Sequence, residues 1–96
     1  MEGLTKVLFR TFGPPAAVAG VNQTELVFEG TTARDFLKGL EARYEGMRNL
    51  IHPRGEELSD LMYVLVNGKN ILSLDGLETV VRDGDIVSVL PVTAGG

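Results

Sequence analysis

Residues 62–90, MYVLVNGKNILSLDGLETVVRDGDIVSVL, decide the fold because strand and turn signals follow one another closely in them. Three strands are predicted here, at Met62–Val66, Lys69–Leu72 and Ile86–Leu90. Asn67 and Gly68 tolerate positive φ angles and favour a tight type I′ turn between the first two strands. Asp83 and Gly84 mark a turn before the third strand, whose β-branched residues favour extended backbone. This half of the chain is therefore predicted to be a hairpin followed by a final strand.

The N-terminal segment shows the alternation of a second, half-buried hairpin. Its two alternating runs are Leu4–Phe12 and Gln23–Glu29. The face predicted to be buried carries Val7, Phe9, Leu26 and Phe28, while Lys6, Leu8 and Arg10 fall on the opposite face of the first strand. Residues 13–22 have no helix cap and no strong period, so we expect a hairpin connection without a helix there.

Between the two hairpins the apolar period changes from two to 3.6, which predicts an amphipathic helix from Thr32 to Glu45. Its apolar side carries Ala33, Phe36, Leu37, Leu40 and Tyr44. Thr32 and Asp35 have the spacing of a capping box at the helix N-terminus. Gly46 is suited to a left-handed C-terminal stop. Residues 47–60 are expected to be irregular, with Leu50 and Ile51 under the edge of the sheet.

The resulting element order is β-β-α-β-β-β. One helix covering one face of a mixed sheet of four to five strands is an α+β roll of the β-grasp kind. We expect a single domain over residues 1–90 and an extended, flexible tail over residues 91–96, because proline cannot donate to a sheet ladder and Pro91 follows the last strand.

Composition excludes several classes of function. The 96 residues carry a formal net charge of −4, so no basic surface is available for nucleic acid and no nucleic-acid partner is expected. The absence of cysteine excludes disulfides, thiolate metal sites and cysteine nucleophiles. The N-terminal segment has neither the pattern of a signal peptide nor the apolar length of a membrane span, so we expect a cytoplasmic protein without a membrane partner.

No catalytic side-chain constellation is apparent. His52 is the single imidazole, and beside Pro53 we interpret it as an ordinary surface or loop residue. The acidic residues are scattered over helix, loops and turns as on a solvated surface, so no metal site is predicted. We therefore expect a protein that is not itself an enzyme.

The tail ends in Gly95 and Gly96, which have no side chains. A glycine backbone can enter a channel that is too narrow for any other residue. The α-carboxylate of Gly96, with an ordinary pKa of about 3.5, is ionised at neutral pH and could attack the α-phosphate of a nucleotide in a partner enzyme. An idle, frayed terminus is the alternative for a diglycine ending taken alone.

Residues 62–96 closely resemble the C-terminal half of the MoaD/ThiS family of ubiquitin-like sulfur carriers. The resemblance rests on the VNGKNI turn, the LDGLETVVRDGD stretch, the hydrophobic last strand and the LPVTAGG end, which is similar to Pro-Pro-Val-Ala-Gly-Gly in the family. Among the branches of the family, the chain looks most like the small subunit of molybdopterin synthase. It departs from that pattern in Leu90, in the single Pro91 and in the additional Thr93.

The resemblance implies a function for the tail. A ubiquitin-activating-type adenylating enzyme would use ATP to adenylate Gly96, and sulfur transfer would then give a C-terminal thiocarboxylate. In the molybdopterin branch the tail would insert into the large subunit of molybdopterin synthase and sulfurate a precursor. The carrier itself would bind no cofactor, and ATP would be used by its activating partner.

Strand parity predicts a docking face for such partners on the side of the sheet away from the helix. The residues expected there are Leu8, Tyr63, Leu65, Ile86 and Leu90, and the tail residues expected to enter the partner with Gly95 and Gly96 are Pro91, Val92, Thr93 and Ala94. An uncovered apolar cluster is typical of an interface. The alternatives are cover by residues 47–60 or a one-residue slip of register.

Three other functions compete with a molybdopterin sulfur carrier. The first is a ubiquitin-like modifier joined to lysines through Gly96, and the second is a sulfur carrier of the thiamine pathway. The third is a non-covalent β-grasp binding module with an idle tail, because a fold does not determine a function. A small enzyme is the least favoured class.

Overall fold

The computed structural model describes residues 3–53, 55 and 57–92. Its strands are β1 (Leu4–Thr11), β2 (Gln23–Glu29), β3 (Met62–Val66), β4 (Lys69–Asn70) and β5 (Ile86–Pro91). Its α-helices are α1 (Pro14–Ala19), α2 (Ala33–Arg43) and α3 (Met47–Ile51), and two short 3₁₀ turns cover Ile71–Ser73 and Gly76–Glu78.

The strands form one mixed sheet in the order β2-β1-β5-β3-β4. β1 pairs with β2 in antiparallel and with β5 in parallel orientation, while β3 is antiparallel to both β5 and β4. The N-terminal hairpin and the C-terminal strands are thus joined by the central parallel pair. The predicted mixed α+β sheet is confirmed.

The core lies between this sheet and α2, which crosses β2 closely at Gly39. A Cβ atom at position 39 would lie 2.6 Å from Cβ of Phe28, so only glycine permits this approach. Phe28 also meets Phe36 edge to face, with ring centroids 5.6 Å apart. The predicted buried faces are confirmed: Val7, Phe9, Leu26, Phe28, Phe36, Leu37 and Leu40 are all at most 3% exposed.

The predicted capping box is confirmed at the start of α2. The Thr32 hydroxyl accepts from the Asp35 backbone N–H (3.2 Å), and the Asp35 carboxylate accepts from the backbone N–H groups of Thr31 (3.0 Å) and Thr32 (3.2 Å). The predicted C-terminal stop is wrong. The helix ends at Arg43 with Tyr44 extended, and Gly46, although left-handed, precedes α3.

The capping box predicts a pH-dependent contribution to stability. The hydrogen bond from the Thr31 backbone lowers the pKa of Asp35, assisted by the bonds from Thr32 and the charge of Lys38. A lowered folded-state pKa means that the contribution is complete above the unfolded value of about 3.9 and is lost as pH falls through the folded value. We expect Asp35→Asn to lower the free energy of unfolding by about 1 kcal/mol at pH 7, and the deficit to shrink below about pH 4.

Urea denaturation of both proteins between pH 7 and pH 2.5 measures this difference. Thr32→Ala is the control, because its lost hydroxyl does not titrate and its deficit should persist at low pH. A deficit of Asp35→Asn that stays constant across the range would contradict the role given to the carboxylate.

The predicted turn at Asn67 and Gly68 is confirmed, since both residues have positive φ angles (51° and 85°). The strand after it is shorter than predicted. Only Lys69–Asn70 pairs with β3, because the chain then enters a 3₁₀ turn that buries Ile71 completely. β5 extends one residue past its predicted end at Leu90. The added residue, Pro91, is paired with Met62 at the start of β3.

Two short helices were not predicted. α1 follows Gly13 with proline in its first turn, ends at the left-handed Gly20 and buries Pro15. α3 buries Met47 and Ile51, four residues apart on one face. The helices pack against each other, and α3 also packs against α2. Segments of 5 and 6 residues are too short to be helical alone, so this packing stabilises them.

Candidate functional site

The five apolar residues predicted for docking all lie on the sheet face opposite α2, which we call the outer face. In the register of the sheet, Leu8 is paired with Ile86 and Leu90 with Tyr63. Leu65 follows Tyr63 by two residues and therefore lies on the same face of β3. Tyr63 and Ile86 are 41% and 36% exposed, and the other three are half-buried. Their chain neighbours on the opposite face, such as Val64 and Val87, are fully buried. The predicted parity is therefore confirmed. Met47 and Ile51 of α3 belong to the same core cluster as Val64 and Val87, so α3 packs on the helix side of the sheet.

The predicted docking set lacks three residues of the outer face, although the alternation of β1 had already placed Arg10 on that face. Phe12, just past the end of β1, is 51% exposed, and Arg10 and Ser88 lie between the apolar residues. With Leu65 and Leu90 they line a shallow depression of about 420 Å³. The period of two that placed Leu8 outward also places Arg10 and Phe12 there, so the signal was present in the sequence.

The outer face leads directly to the point where the tail begins. β1 and β5 run in parallel, and the buried Thr11 hydroxyl donates to the Val89 carbonyl (2.7 Å) near their common end. Pro91 is paired with Met62, and the Val92 backbone N–H donates to the Leu61 carbonyl (2.9 Å). The chain is thus held in place through Val92.

We call Pro91 and Val92, where the tail begins, the tail base. Gly13 packs against Pro91 of this tail base. A Cβ atom at position 13 would lie 3.0 Å from Cγ of Pro91, and the φ angle of Gly13 is +68°. Any other residue would therefore be strained and would also press on Pro91. Gly13 and the Leu61 carbonyl together set the direction in which the chain leaves the sheet. Of the predicted tail residues, Thr93, Ala94, Gly95 and Gly96 lie outside the described residues.

His52 was predicted to be an ordinary surface or loop residue. It does lie in the loop that follows α3, but it is not an ordinary surface residue. Its side chain is only 10% exposed, and Nδ1 contacts the Glu41 carboxylate, which also accepts from Arg48 (3.2 Å). These contacts connect α2, which carries Glu41, with α3 and the residue that follows it, and they involve no residue of the outer face. Within residues 3–53, 55 and 57–92 no group of three potential metal ligands occurs, and no helix has the length and apolarity to cross a membrane.

A five-stranded mixed sheet with α2 on one face and an apolar outer face that leads to the C-terminal segment defines the ubiquitin-like β-grasp class. The solution structure of small archaeal modifier protein 1 from Methanosarcina acetivorans shares it. That structure superposes with a TM-score of 0.83 at 30% identity, over 97% of this chain and 98% of the other.

The chain belongs to the ThiS family, whose model matches residues 9–96. Its relatives include sulfur carriers and a small archaeal modifier protein, so the resemblance to the MoaD/ThiS family is confirmed, whereas the molybdopterin synthase branch stays a prediction. Small archaeal modifier protein 3 of Haloferax volcanii is 41% identical over 70 residues, which are 73% of this chain and 75% of the relative.

Two further solved structures are similar. One is the BexX/CysO complex of Amycolatopsis orientalis, with 27% identity and a TM-score of 0.79 over 94% of this chain and 99% of the other. The other is a putative molybdopterin converting factor subunit 1 from Pyrococcus furiosus, with 26% identity and a TM-score of 0.74 over 93% and 99%. Relatives thus include a modifier, a carrier in complex with a partner protein, and a molybdopterin-related subunit.

Proposed function

We propose that this protein is a sulfur carrier whose Gly96 carboxylate is activated by a partner enzyme and converted to a thiocarboxylate. The observation that carries the proposal is the position of the tail base. β5 and the hydrogen bond of Val92 place the start of the tail beside the outer face. The family match continues from there to residue 96. A carrier needs this arrangement, because the surface that docks and the group that reacts must be presented to the same partner.

The proposed chemistry uses the main chain alone. A carboxylate oxygen of Gly96 attacks the α-phosphorus of ATP, a new P–O bond forms, and pyrophosphate leaves. A sulfur nucleophile supplied by the partner system then attacks the acyl carbon and displaces AMP, leaving a C–S bond at the terminus. Because the reaction consumes ATP, we place it in the cytoplasm. ATP is the substrate of the adenylating enzyme, and we expect this chain to bind no cofactor.

The length of the tail constrains the partner. Residues 93–96 can span at most about 14 Å when fully extended. An enzyme that adenylates Gly96 must therefore hold its nucleotide within about 14 Å of Val92 while it contacts the adjacent outer face. Glycine at the last two positions allows the backbone to enter a narrow channel.

The acceptor of the sulfur is the finer part of this proposal. The LPVTAGG end supports a molybdopterin precursor as the recipient, with the large subunit of molybdopterin synthase as the second partner. A protein modifier joined to lysines through Gly96 is an equally supported alternative, because the relative with 41% identity is a small archaeal modifier protein. A carrier of the thiamine pathway shares the same activation step.

The intact mass of the protein recovered from its own cells tests the proposal. Replacement of one oxygen by sulfur at the C-terminus is expected, and a variant lacking Gly95 and Gly96 should not acquire it. Lysine conjugates of the chain would favour the modifier instead. A chain found only in its unmodified form would contradict both and leave a non-covalent binding module. Incubation of the thiocarboxylate form with the large subunit and its precursor then tests the molybdopterin pathway.

A further inference from the structure

Arg10 lies within the apolar part of the outer face. In the sheet its neighbours are Gln23 on β2 and Ser88 on β5, and Leu8 and Phe12 project from the same face before and after it along the chain. Arg10 is exposed and lines the depression formed with Phe12, Leu65 and Leu90. A cation in the middle of an apolar docking face is unexpected unless the partner requires it.

The Arg10 guanidinium has no partner among the described residues. It takes part in none of the hydrogen bonds or ion pairs that those residues form, in contrast to Lys6, four residues earlier on the same face. Glu25, the acid on the neighbouring strand, forms an ion pair with Lys6 (3.4 Å). Asp83 and Asp85 accept from the backbone of Lys6 and Arg82. Arg10 is therefore available to an external anion.

We propose that Arg10 selects the activating partner by pairing with a carboxylate that stands within an apolar docking surface on that enzyme. The proposal rests on the proposed function, since it specifies the partner of the same face. A guanidinium covered by an apolar surface is destabilising unless it is paired, and its planar fork matches a carboxylate with two parallel hydrogen bonds. Without such a group the partner would leave a desolvated charge in the interface.

A protein carboxylate fits this site better than a phosphate group. The only other cation on this face of β1, Lys6, is already paired with Glu25, so β1 offers a polyanion a single free charge. The chain also has a net charge of −4, which repels nucleic acid. The apolar residues around Arg10 favour a partner surface that is apolar as well.

Titration calorimetry and ATP–pyrophosphate exchange with the adenylating enzyme of the same cells test the proposal. Arg10→Glu is expected to raise Kd and KM by roughly 10- to 100-fold with kcat unchanged, because the tail is intact. Arg10→Gln should weaken binding less and remove most of its dependence on salt concentration. Arg10→Lys should recover part of the affinity. Lys69→Gln is the matched control, because it removes one exposed cation from the edge strand β4 without releasing Glu25, and it should change neither Kd nor its salt dependence.

Equal Kd and equal salt dependence for Arg10→Gln and the unaltered chain would overturn the role of Arg10. The absence of any binding by the unaltered chain would overturn it too, as would an equal loss of affinity in Lys69→Gln, because that loss would indicate a diffuse charge effect. Binding that is sensitive to Arg10 but is not followed by adenylation would overturn the proposed function and retain the selective contact. Tighter binding of Arg10→Glu would show that the partner presents a cation and not a carboxylate, and it would therefore overturn the proposal.

Discussion

Deletion of Gly95 and Gly96 is expected to abolish adenylation while changing the free energy of unfolding by no more than about 0.5 kcal/mol. The strands, helices and backbone hydrogen bonds of the described residues extend as far as Val92, so the deletion leaves them in place. The reactive carboxylate, by contrast, would stand two residues too far from the nucleotide. ATP–pyrophosphate exchange with the activating enzyme and urea denaturation measure the two effects.

Gly96→Phe serves as a full-length counterpart, since it keeps the reach of the tail and adds a ring that a narrow channel excludes. Gly96→Ala adds only a methyl group and should lose less activity. A truncated chain that still supports pyrophosphate exchange at the normal rate would contradict the proposed role of Gly96.

Val64→Glu is expected to remove most or all of the stability of the domain, whereas Leu65→Glu should leave it folded. Val64 is 0% exposed and belongs to the hydrophobic core, so a carboxylate there would be buried without a partner. A cost of several kcal/mol is large against the roughly 5–15 kcal/mol that stabilises a typical domain. Leu65, on the outer face, is half-buried, and its replacement leaves no void in the core.

Leu65→Glu should instead weaken binding of the activating enzyme by about 2 kcal/mol, roughly thirtyfold in Kd, because the partner must desolvate the new charge. The two variants introduce the same residue at adjacent positions of β3, so each controls for the other. Circular dichroism with thermal unfolding reports the fold, and calorimetry reports the binding. A folded Val64→Glu protein alongside an unfolded Leu65→Glu protein would show that the outer face is assigned to the wrong side of the sheet.

Local patterns were sufficient for the elements whose determinants are close in sequence. The alternation in β1, β2, β3 and β5 assigned each side chain to its face, because the period of a strand is set by the backbone itself. The capping box of Thr32 and Asp35 could also be predicted, because its two partners lie within one helical turn. The turn at Asn67 and Gly68 needed only the backbone freedom of those residues.

Elements stabilised by distant contacts could not be predicted from these patterns. α1 and α3 have too few residues to be helical alone and depend on packing against each other and against α2. The strand after Gly68 is shorter than its composition suggests, because Ile71 is drawn into the core. The near-burial of His52 depends on Glu41, which is on another helix.

The sequence by itself determined the family, the apolar outer face for which docking is proposed and the diglycine end, because these depend on residue order and on a period of two. The tertiary structure decided where that face meets the tail. Gly13 and Pro91 are 78 positions apart in the chain, and only the parallel pairing of β1 with β5 brings their neighbourhoods together. It also decided that Arg10 is unpaired within the described residues, since the competing acid, Glu25, reaches Lys6 across the β1–β2 hairpin.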